Sequence, residues 1–325
     1  MSVRVVNWGT AVPTRVLTSP ELNERLDLPP GWIENRTGIT ARHIVGCHDS
    51  TATLATDAAR DALSRARLDP NQIDLLIVAT TTPEQPIPST AAFVAGALDL
   101  QCGSMDINTA CTGFVTAYLS AAAILKAGTG RHALVIGAET YSRIVNPNDR
   151  STAAVFGDAA AAVVLEDTPN TESGLLAWDL GCDPSGRRLV EVVAGGSRQP
   201  TTIDSLRAGA NYLHMSGRKV FEFAVPTLID SVRRTLRRAQ VDIGEITLFV
   251  PHQANARILE QVADRLELNR AQVAMNIDRF GNTAAASIPL ALAEAANDHR
   301  ITRGEIVLMA AVGAGMTWGS LLLRW

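Results

Sequence analysis

Residues 62–80 read ALSRARLDPNQIDLLIVAT, and residues 235–253 read TLRRAQVDIGEITLFVPHQ. The two stretches align at an offset of 173 positions (235 − 62), with identities that include Leu63/Leu236, Asp69/Asp242 and Ile73/Ile246. Self-similarity at a fixed offset is the mark of a duplicated structural unit. The repeat therefore predicts an α/β chain of two similar halves, rich in βαβ units and packed about a pseudo-twofold axis.

A cysteine lies in the stretch Ala110-Cys111-Thr112-Gly113-Phe114, where an apolar strand (residues 104–107) is predicted to run into a long, uncharged helix. Unpaired N–H groups and the positive dipole end at a helix N-terminus favour a thiolate, so we expect a lowered pKa for Cys111. A thiolate there is a candidate nucleophile toward an acyl carbonyl. The pattern alone equally fits a small buried hydrophobic residue, as most free cysteines are.

Two more polar residues occupy similar junctions. His252 follows a predicted buried strand that begins at Thr247, and Asn282 follows a glycine at a turn into a helix. A lone histidine is more often structural, but the carboxyl end of a strand is where open sheets hold ligands. Asn282 lies 171 positions after Cys111 (282 − 111), close to the repeat offset. The duplication therefore predicts that Cys111, Asn282 and His252 meet at one central place.

Composition limits the class of protein. The chain has 325 residues, 46% of them hydrophobic, and a net charge of −4, so we expect a large core and no nucleic-acid surface. Four arginines (Arg233, Arg234, Arg237, Arg238) are spaced as the solvated face of one helix. The longest charge-free helical run, residues 107–125, is interrupted by polar side chains. It predicts a buried central helix, and no membrane span is expected.

The remaining cysteines and the amino terminus give no sign of metal binding or export. Cys47, Cys102 and Cys182 show neither paired nor metal-ligand spacing, and residues 1–6 lack a hydrophobic secretory core. We therefore expect a reduced, cytoplasmic protein without a bound metal.

A glycine turn, Gly313-Ala314-Gly315, joins two predicted strands, residues 306–311 and 317–323. Because no helix follows the turn, a dinucleotide site is not expected. Backbone N–H groups near Ala314, together with that of Cys111, are candidates to hold a developing oxyanion. The alternative is a tight turn that merely needs glycine.

Six motifs in order resemble the ketoacyl-acyl-carrier-protein synthases of the third, chain-initiating class, in the thiolase superfamily. They are Trp32-Ile33 with Arg36-Thr37-Gly38-Ile39, the Cys111 motif, Asp149-Arg150 leading to Phe156-Gly157-Asp158, Pro251-His252-Gln253-Ala254-Asn255, the 281–289 segment GNTAAASIP and the 313–319 segment GAGMTWG. The resemblance runs nearly end to end. It implies a duplicated αβαβα layered fold, with residues 1–170 carrying the nucleophilic Cys111 and residues 171–325 carrying His252 and Asn282.

The resemblance also implies a reaction and its substrates. Cys111 would take an acyl group from an acyl-CoA, and His252 and Asn282 would stabilise the enolate left when a malonyl thioester loses carbon dioxide. Trp32 would stack on the adenine of coenzyme A, Arg36 and Arg150 would lie near its phosphates, and Asn255 would touch its pantetheine arm. No cofactor beyond these thioester substrates is expected.

Further expectations concern the acyl pocket, the dimer and the acceptor. The pocket would include Val312, where family members commonly have a large aromatic, and Phe221; Ile87 would reach across a homodimer into the partner's pocket. Arg257 and Arg265 would dock an acyl carrier protein. Acidic residues nearby (Glu222, Glu260, Asp264) predict a docking surface less suited to an ordinary acidic carrier, so a specialised carrier or a small-molecule acceptor is also considered.

Three functions are compatible with these patterns. The first is a decarboxylative condensing enzyme of fatty-acid or polyketide initiation. The second is an acyltransferase on the same fold that passes the acyl group from Cys111 to an oxygen, nitrogen or carrier thiol without forming a carbon–carbon bond. The third, a non-catalytic partner subunit, is disfavoured because a scaffold needs no nucleophile.

Overall fold

A computed structural model of the chain describes residues 2–169 and 172–325. The strands are β1 (Val3–Ala11), β2 (Val16–Thr18), β3 (Ala41–His43), β4 (Leu75–Ala79), β5 (Gly103–Ile107), β6 (His132–Thr140), β7 (Asp158–Asp167), β8 (Gly174–Cys182), β9 (Val190–Val192), β10 (Leu213–Met215), β11 (Ile246–Pro251), β12 (Ile306–Gly313) and β13 (Thr317–Arg324). The helices are α1 (Ser19–Arg25), α2 (Trp32–Thr37), α3 (Thr51–Ala66), α4 (Thr90–Leu98), α5 (Gly113–Lys126), α6 (Ile203–Arg207), α7 (Gly217–Ala239), α8 (Ala256–Arg265), α9 (Ile277–Phe280) and α10 (Ser287–Asn297).

Two large sheets have matching topologies. The first has the order β1-β7-β6-β4-β5, and the second, read from its other edge, has the order β8-β13-β12-β11. In the first sheet β4 is parallel to β6, while β7 is antiparallel to both β6 and β1. The corresponding strands β11, β12, β13 and β8 have the same directions. The counterpart of β5 is reduced to an isolated bridge between Phe249 and Val273. The predicted duplication is therefore confirmed.

The repeated sequence forms the same local structure in both halves. Asp69 and Asp242 each begin a short 3-10 turn with a reciprocal capping box, closed by Gln72 and by Glu245 respectively. Each turn leads from the end of a long helix, α3 or α7, into the parallel strand β4 or β11. The offset within the sequence therefore corresponds to a repeated helix–turn–strand unit. In both copies the backbone N–H groups at the start of the turn are capped by the same pair of side-chain hydrogen bonds.

Five layers result from this duplication. Helices α5 and α10 lie between the two sheets and contact both, in a core of small and branched apolar side chains. Helices α3 and α4 cover the outer face of the first sheet, and α7 and α8 cover the second. The strands of the first sheet end before residue 168 and those of the second begin at Gly174. The fold is the predicted αβαβα arrangement. The predicted boundary between residues 170 and 171 falls on residues outside the described ranges, so it stays a prediction.

One expectation about the arginine-rich helix is wrong. Arg234 and Arg238 form ion pairs with Asp179 at 2.8 Å and 3.2 Å, and Asp179 is buried in the second sheet. These arginines therefore attach α7 to β8, because a buried carboxylate requires partners that compensate its charge. Among the described residues no helix is both long enough and apolar enough to cross a membrane.

The centre of the molecule leaves no room for a side chain at Gly137. A Cβ added there would overlap the backbone carbonyl of Ala285, which lies just before α10. We predict that Gly137→Ala lowers the urea midpoint, consistent with an overpacking cost of about 1–3 kcal/mol. The control is Gly96→Ala in α4, where an added Cβ meets no atom within 4 Å. Gly96→Ala is expected to stabilise by up to about 1 kcal/mol, and a tolerated Gly137→Ala with an unchanged midpoint would contradict the packing argument.

Candidate active site

The predicted catalytic residues meet in one cavity of about 260 Å³. Cys111, His252 and Asn282 lie at its buried end, and His252 and Asn282 are only 3% and 6% exposed. Trp32, Arg36 and Arg150 line the same cavity where it opens to the surface. The other lining side chains include Tyr141, Phe156, Met215, Phe221, Ala224, Leu228, Ile258, Val312 and Met316. Most of this lining is apolar, as expected of a tunnel for an acyl or pantetheine chain.

Cys111 sits in a tight turn between β5 and α5. Residues Ala110–Thr112 form one turn of 3-10 helix, and Ala110 has a left-handed backbone with φ of 50°. Ala284, 174 positions later (284 − 110), has φ of 44° at the matching junction before α10. A left-handed alanine costs on the order of 1–3 kcal/mol, and such strain is typical of functional turns. Both central helices are thus entered through a strained residue next to a candidate catalytic side chain.

The expected pKa of Cys111 is wrong for the free protein. Burial and, to a lesser extent, the nearby carboxyl of Glu139 raise the pKa of the Cys111 thiol to about 12, against a smaller opposing contribution from its own backbone N–H. Desolvation of a charged sulfur therefore outweighs the helix N-terminus. Cys111 rests as a thiol, and it requires a proton acceptor when it attacks.

His252 is a neutral proton acceptor in the resting site. Burial lowers the pKa of His252 to about 3, so the ring carries no charge near neutral pH. Its backbone N–H donates to Ala310 of β12 at 2.8 Å, which fixes the end of β11. The ring Nδ1 lies 2.7 Å from Ser287 Oγ, while Nε2 is the nitrogen left for the cavity.

Asn282 is held from both sides. Its N–H donates to Val155 at 2.9 Å, and its carbonyl accepts from Gly157 at 3.1 Å. The side-chain Oδ1 accepts the N–H of Ala284 at 2.8 Å. Since the oxygen is engaged, the Nδ2 amide is the group that Asn282 offers to a substrate in the cavity.

The glycine turn after β12 approaches Cys111 closely. A Cβ added at Gly313 would lie 2.9 Å from the Cys111 nitrogen, so glycine is required for this contact. Gly313 and Ala314 line the cavity beside Cys111. The two explanations of the turn are therefore compatible: glycine allows the approach, and the approach brings the turn against the Cys111 backbone in the wall of the cavity. The oxyanion role of Cys111 and Ala314 stays a prediction.

Three predicted CoA-binding residues form one cluster at the mouth. The Cζ atoms of Arg36 and Arg150 lie 4.5 Å and 5.7 Å from the centre of the Trp32 ring. Asn255 lines the cavity below them, but both ends of its amide are already used. Its Oδ1 accepts from the N–H of Arg257, capping α8, and its Nδ2 donates to Arg36 O at 3.2 Å. Asn255 thus joins α8 to α2.

The predicted acyl-pocket residues divide into two groups. Val312 and Phe221 line the cavity, with Val312 packed toward α7 beside Leu228. Ile87 lies outside this chain's cavity and is 83% exposed. Its contact with a partner's pocket stays a prediction.

The docking residues and nearby acids lie at the surface. Arg257 is exposed and donates to Asn35 O at 2.5 Å next to the mouth, and Arg265 is exposed at the end of α8. Glu222 accepts from Arg218 Nε at 2.8 Å, so its charge is locally compensated. Of the three acids, Glu260 and Asp264 remain as exposed charges on α8.

Sequence reasoning missed three residues of the site: Glu139, Tyr141 and Ser287. Glu139 is fully buried and accepts hydrogen bonds from the N–H groups of Thr81 and Thr82 and from the Thr82 hydroxyl at 2.7 Å. Burial raises the pKa of Glu139 to about 7. The signal available was an acid directly after an apolar run, residues 133–138; Ser287 lay inside the 281–289 motif without being singled out, and Tyr141 had no comparable signal.

Tyr141 forms part of the cavity wall near Cys111. Its ring stacks on Phe156 with centroids 4.5 Å apart, and its hydroxyl lies 3.0 Å from Thr81 Oγ1.

In the described part of the chain, no group of three His, Cys, Asp or Glu side chains is arranged to hold a metal ion.

A duplicated αβαβα fold with cysteine, histidine and asparagine at its centre is that of the thiolase-fold condensing enzymes. Comparison with known families agrees. Residues 105–184 match the model described as 3-oxoacyl-[acyl-carrier-protein] synthase III, and residues 236–325 match the model of its C-terminal part.

Individual relatives extend the match to the whole chain. A β-ketoacyl-[acyl-carrier-protein] synthase III of Roseiflexus sp. (strain RS-1) is 42% identical, covering 99% of this chain and 98% of the relative. The crystal structure of the synthase III of Pseudomonas aeruginosa PAO1 is 40% identical, with a TM-score of 0.92 and coverage of 100% and 98%. The priming β-ketosynthase of a polyketide pathway is 30% identical, with a TM-score of 0.92 and coverage of 99% and 95%.

The chain belongs to the 3-oxoacyl-[acyl-carrier-protein] synthase III family. The predicted family, layered fold and enzyme class, a condensing acyltransferase, are thereby confirmed.

The raised pKa of Cys111 predicts a characteristic pH dependence. Alkylation of Cys111 by iodoacetamide should rise between about pH 7 and 10 without levelling off, because thiolate is the reactive form. Glu139→Gln removes a neighbouring negative charge, so it should lower the pKa and speed alkylation at a given pH. Peptide mapping by mass spectrometry measures both, with the exposed Cys47 and Cys182 as internal references. A plateau already reached near pH 7 would show that the helix N-terminus dominates after all.

Proposed function

We propose that this protein transfers an acyl group from an acyl-CoA to Cys111 and then condenses it with a malonyl thioester carried by an acyl carrier protein. The observation that supports this most directly is the single cavity with Cys111, His252 and Asn282 at its base and Trp32 and two arginines at its mouth. An acyl thioester lying in this tunnel would present its carbonyl to Cys111 and its nucleotide to the mouth.

In the first half-reaction, Cys111 sulfur attacks the thioester carbonyl while His252 Nε2 takes the thiol proton. The carbonyl oxygen becomes an anion held by backbone N–H groups of Cys111 and Ala314. Collapse of this intermediate breaks the bond to the CoA sulfur, which leaves with the proton from Nε2. The products are acyl-Cys111 and free CoA, with His252 neutral again.

In the second half-reaction, the bond between the malonyl carboxylate and C2 breaks, carbon dioxide leaves, and the electron pair forms an enolate. The Asn282 Nδ2 amide donates to the enolate oxygen, and His252 joins as a donor only when Nε2 holds a proton. The enolate carbon attacks acyl-Cys111, the carbon–sulfur bond breaks, and a 3-oxoacyl thioester is released. The negative charge of the malonyl carboxylate now rests on the Cys111 thiolate, because carbon dioxide leaves as a neutral molecule, and one proton from solvent restores the thiol.

The donor's nucleotide is assigned to the cluster at the mouth. Arg36 and Arg150 supply planar cations for phosphate groups, and Trp32 supplies a ring for the adenine. The substrates require no further cofactor in this scheme, because carbon dioxide loss drives the condensation and no electrons are exchanged.

The acceptor is assigned to an acyl carrier protein that docks beside the mouth. Arg257 is exposed within reach of α2, and Lys219 lies on the first turn of α7, whose later turns line the cavity. Arg218 pairs with Glu222, which weakens the expected acidic character of this surface. Opposite charges across such an interface speed encounter with an acidic carrier.

We also propose a homodimer in the cytoplasm. The edge strand β5 is open in the first sheet, and both Met105 on this strand and Ile87, which lies just before α4, are exposed. Contact with a second copy at this edge would pair the free backbone N–H and C=O groups of β5 and would bury the exposed apolar side chains. The four cysteines are free thiols, as expected in a reducing compartment.

The first prediction from this function concerns the nucleophile. Incubation with a panel of acyl-CoAs should add the mass of one acyl group to the wild-type protein, and Cys111→Ala should abolish the addition. Intact-mass spectrometry measures both. An adduct that persists in Cys111→Ala and maps to Cys47, Cys102 or Cys182 would show that the nucleophile has been wrongly assigned.

A comparison of two acyl donors, one with and one without the nucleotide, tests the role of Trp32, Arg36 and Arg150 in the same assay. An acyl thioester of pantetheine lacks the nucleotide, so Arg36→Ala should slow acylation by acyl-CoA at low concentration but leave the pantetheine donor unaffected. Arg233→Ala, on the outer part of α7, is the control for a lost surface cation. Equal slowing with both donors would remove Arg36 from the nucleotide site.

The dimer proposal has its own test. Multi-angle light scattering at micromolar concentration should give twice the chain mass of 34.6 kDa. If Ile87 lines the partner's pocket, then Ile87→Phe should shorten the longest acyl chain that Cys111 accepts, while acetyl transfer stays unchanged. A monodisperse monomer contradicts the proposed dimer, and an unaltered chain-length profile in Ile87→Phe contradicts the placement of Ile87 in the partner's pocket.

A further inference from the structure

Ser287 occupies the first position of α10, five residues after Asn282, and it is 1% exposed. Its hydroxyl oxygen has three polar neighbours. His252 Nδ1 lies at 2.7 Å, the Ala284 carbonyl oxygen at 2.8 Å and the Gln253 backbone N–H at 3.4 Å. A serine hydroxyl has one proton to donate and two lone pairs that accept.

Only one placement of protons makes all three contacts hydrogen bonds. A carbonyl oxygen accepts and never donates, so the Ser287 proton must point to Ala284 O. The Gln253 N–H is a donor, so it takes one lone pair. The remaining lone pair then accepts a proton from His252 Nδ1. In the reverse arrangement, with Ser287 donating to Nδ1, two oxygens would face each other at 2.8 Å without a proton between them.

The backbone around Ser287 favours the same arrangement. Donation from a serine hydroxyl to a carbonyl three residues earlier is a common local bond at the start of a helix. The carbonyl belongs to Ala284, whose N–H is in turn bound by Asn282 Oδ1. One short segment, residues 282–287, therefore orients both the asparagine amide and the histidine ring.

We propose that Ser287 is a positioning residue that holds His252 as its Nδ1–H tautomer, so that Nε2 accepts the Cys111 proton in the first half-reaction. This inference rests on the proposed acyl transfer to Cys111. A neutral imidazole carries one proton, and when Nδ1 holds it, Nε2 presents a lone pair to the cavity. None of the groups that contact Ser287 is a base that can take the Nδ1 proton, because the backbone carbonyl of Ala284 accepts a hydrogen bond but is not protonated.

The consequence is a division of labour different from that expected at the outset. His252 and Asn282 were expected to act together as donors to the enolate. With Nδ1–H fixed, His252 is the base for acylation, and it donates to an enolate only as an imidazolium. Asn282 therefore supplies the donor for the enolate while the ring is neutral.

The direct test is nitrogen-15 NMR of protein labelled at histidine, with His252 assigned by its loss in His252→Ala. The wild-type protein should show a protonated Nδ1 and an unprotonated Nε2. This measurement needs no variant of Ser287, so it stands even where a substitution disturbs folding. A protonated Nε2 in the wild-type resting protein overturns the proposal.

Ser287→Ala provides the kinetic test. Its acylation by acyl-CoA, followed by intact mass in a single turnover, should slow by about 10- to 100-fold, less than the whole of a general base contributes. Decarboxylation of a malonyl thioester should slow much less, since Asn282 is retained. Ser287→Thr keeps the hydroxyl and should recover most of the acylation rate.

The outcomes separate this proposal from the function on which it rests. If wild-type protein takes no acyl group from any acyl-CoA, the proposed function fails and Ser287 is not in question. If wild type is acylated but Ser287→Ala is acylated equally fast, or loses acylation and decarboxylation in equal proportion, the positioning role is wrong.

Discussion

The site depends on close backbone contact at the centre of the molecule, where the two halves meet. Gly137 on β6 lies directly against the carbonyl of Ala285, and Gly313 at the end of β12 lies against the Cys111 nitrogen. Neither contact leaves space for a Cβ. Because these strands belong to different sheets, the contacts lock the Cys111 and Asn282 turns into one rigid arrangement. The strained backbones of Ala110 and Ala284 persist because this packing fixes them.

Burial governs the chemistry that this arrangement supports. It raises the pKa of Cys111 to about 12 and lowers that of His252 to about 3, so both rest uncharged near neutral pH. A neutral pair avoids the desolvation cost of a buried thiolate–imidazolium pair. Proton transfer then accompanies attack on a bound thioester, where backbone N–H groups stabilise the charge that develops on oxygen. The same dry environment strengthens the Asn282 contact with an enolate.

Much of this architecture could be predicted from the sequence. The 173-residue offset predicted two equivalent sheets, and the Cys111, His252 and Asn282 junctions predicted their meeting, because strand and helix starts follow periodicity and turn residues. The pKa of Cys111 could not be predicted, since it depends on how deeply tertiary packing buries the sulfur. The same holds for Glu139, which becomes a neighbour of Cys111 only through the fold. The hydrogen bond between Ser287 and His252, 35 residues apart in sequence, likewise required the structure.

Carbon–carbon bond formation at Cys111 is the central claim, and a label chase tests it most directly. Protein acylated at Cys111 with a carbon-13 acyl group is freed of CoA and mixed with a malonyl thioester of an acyl carrier protein. Mass spectrometry then measures three quantities: the label that remains on the protein, the mass of the labelled product, and the amount of carbon dioxide released. We predict labelled 3-oxoacyl thioester and one carbon dioxide for each Cys111 deacylated. Label recovered as an unextended acyl ester, amide or thioester, without carbon dioxide, would contradict condensation and identify a simple acyltransferase.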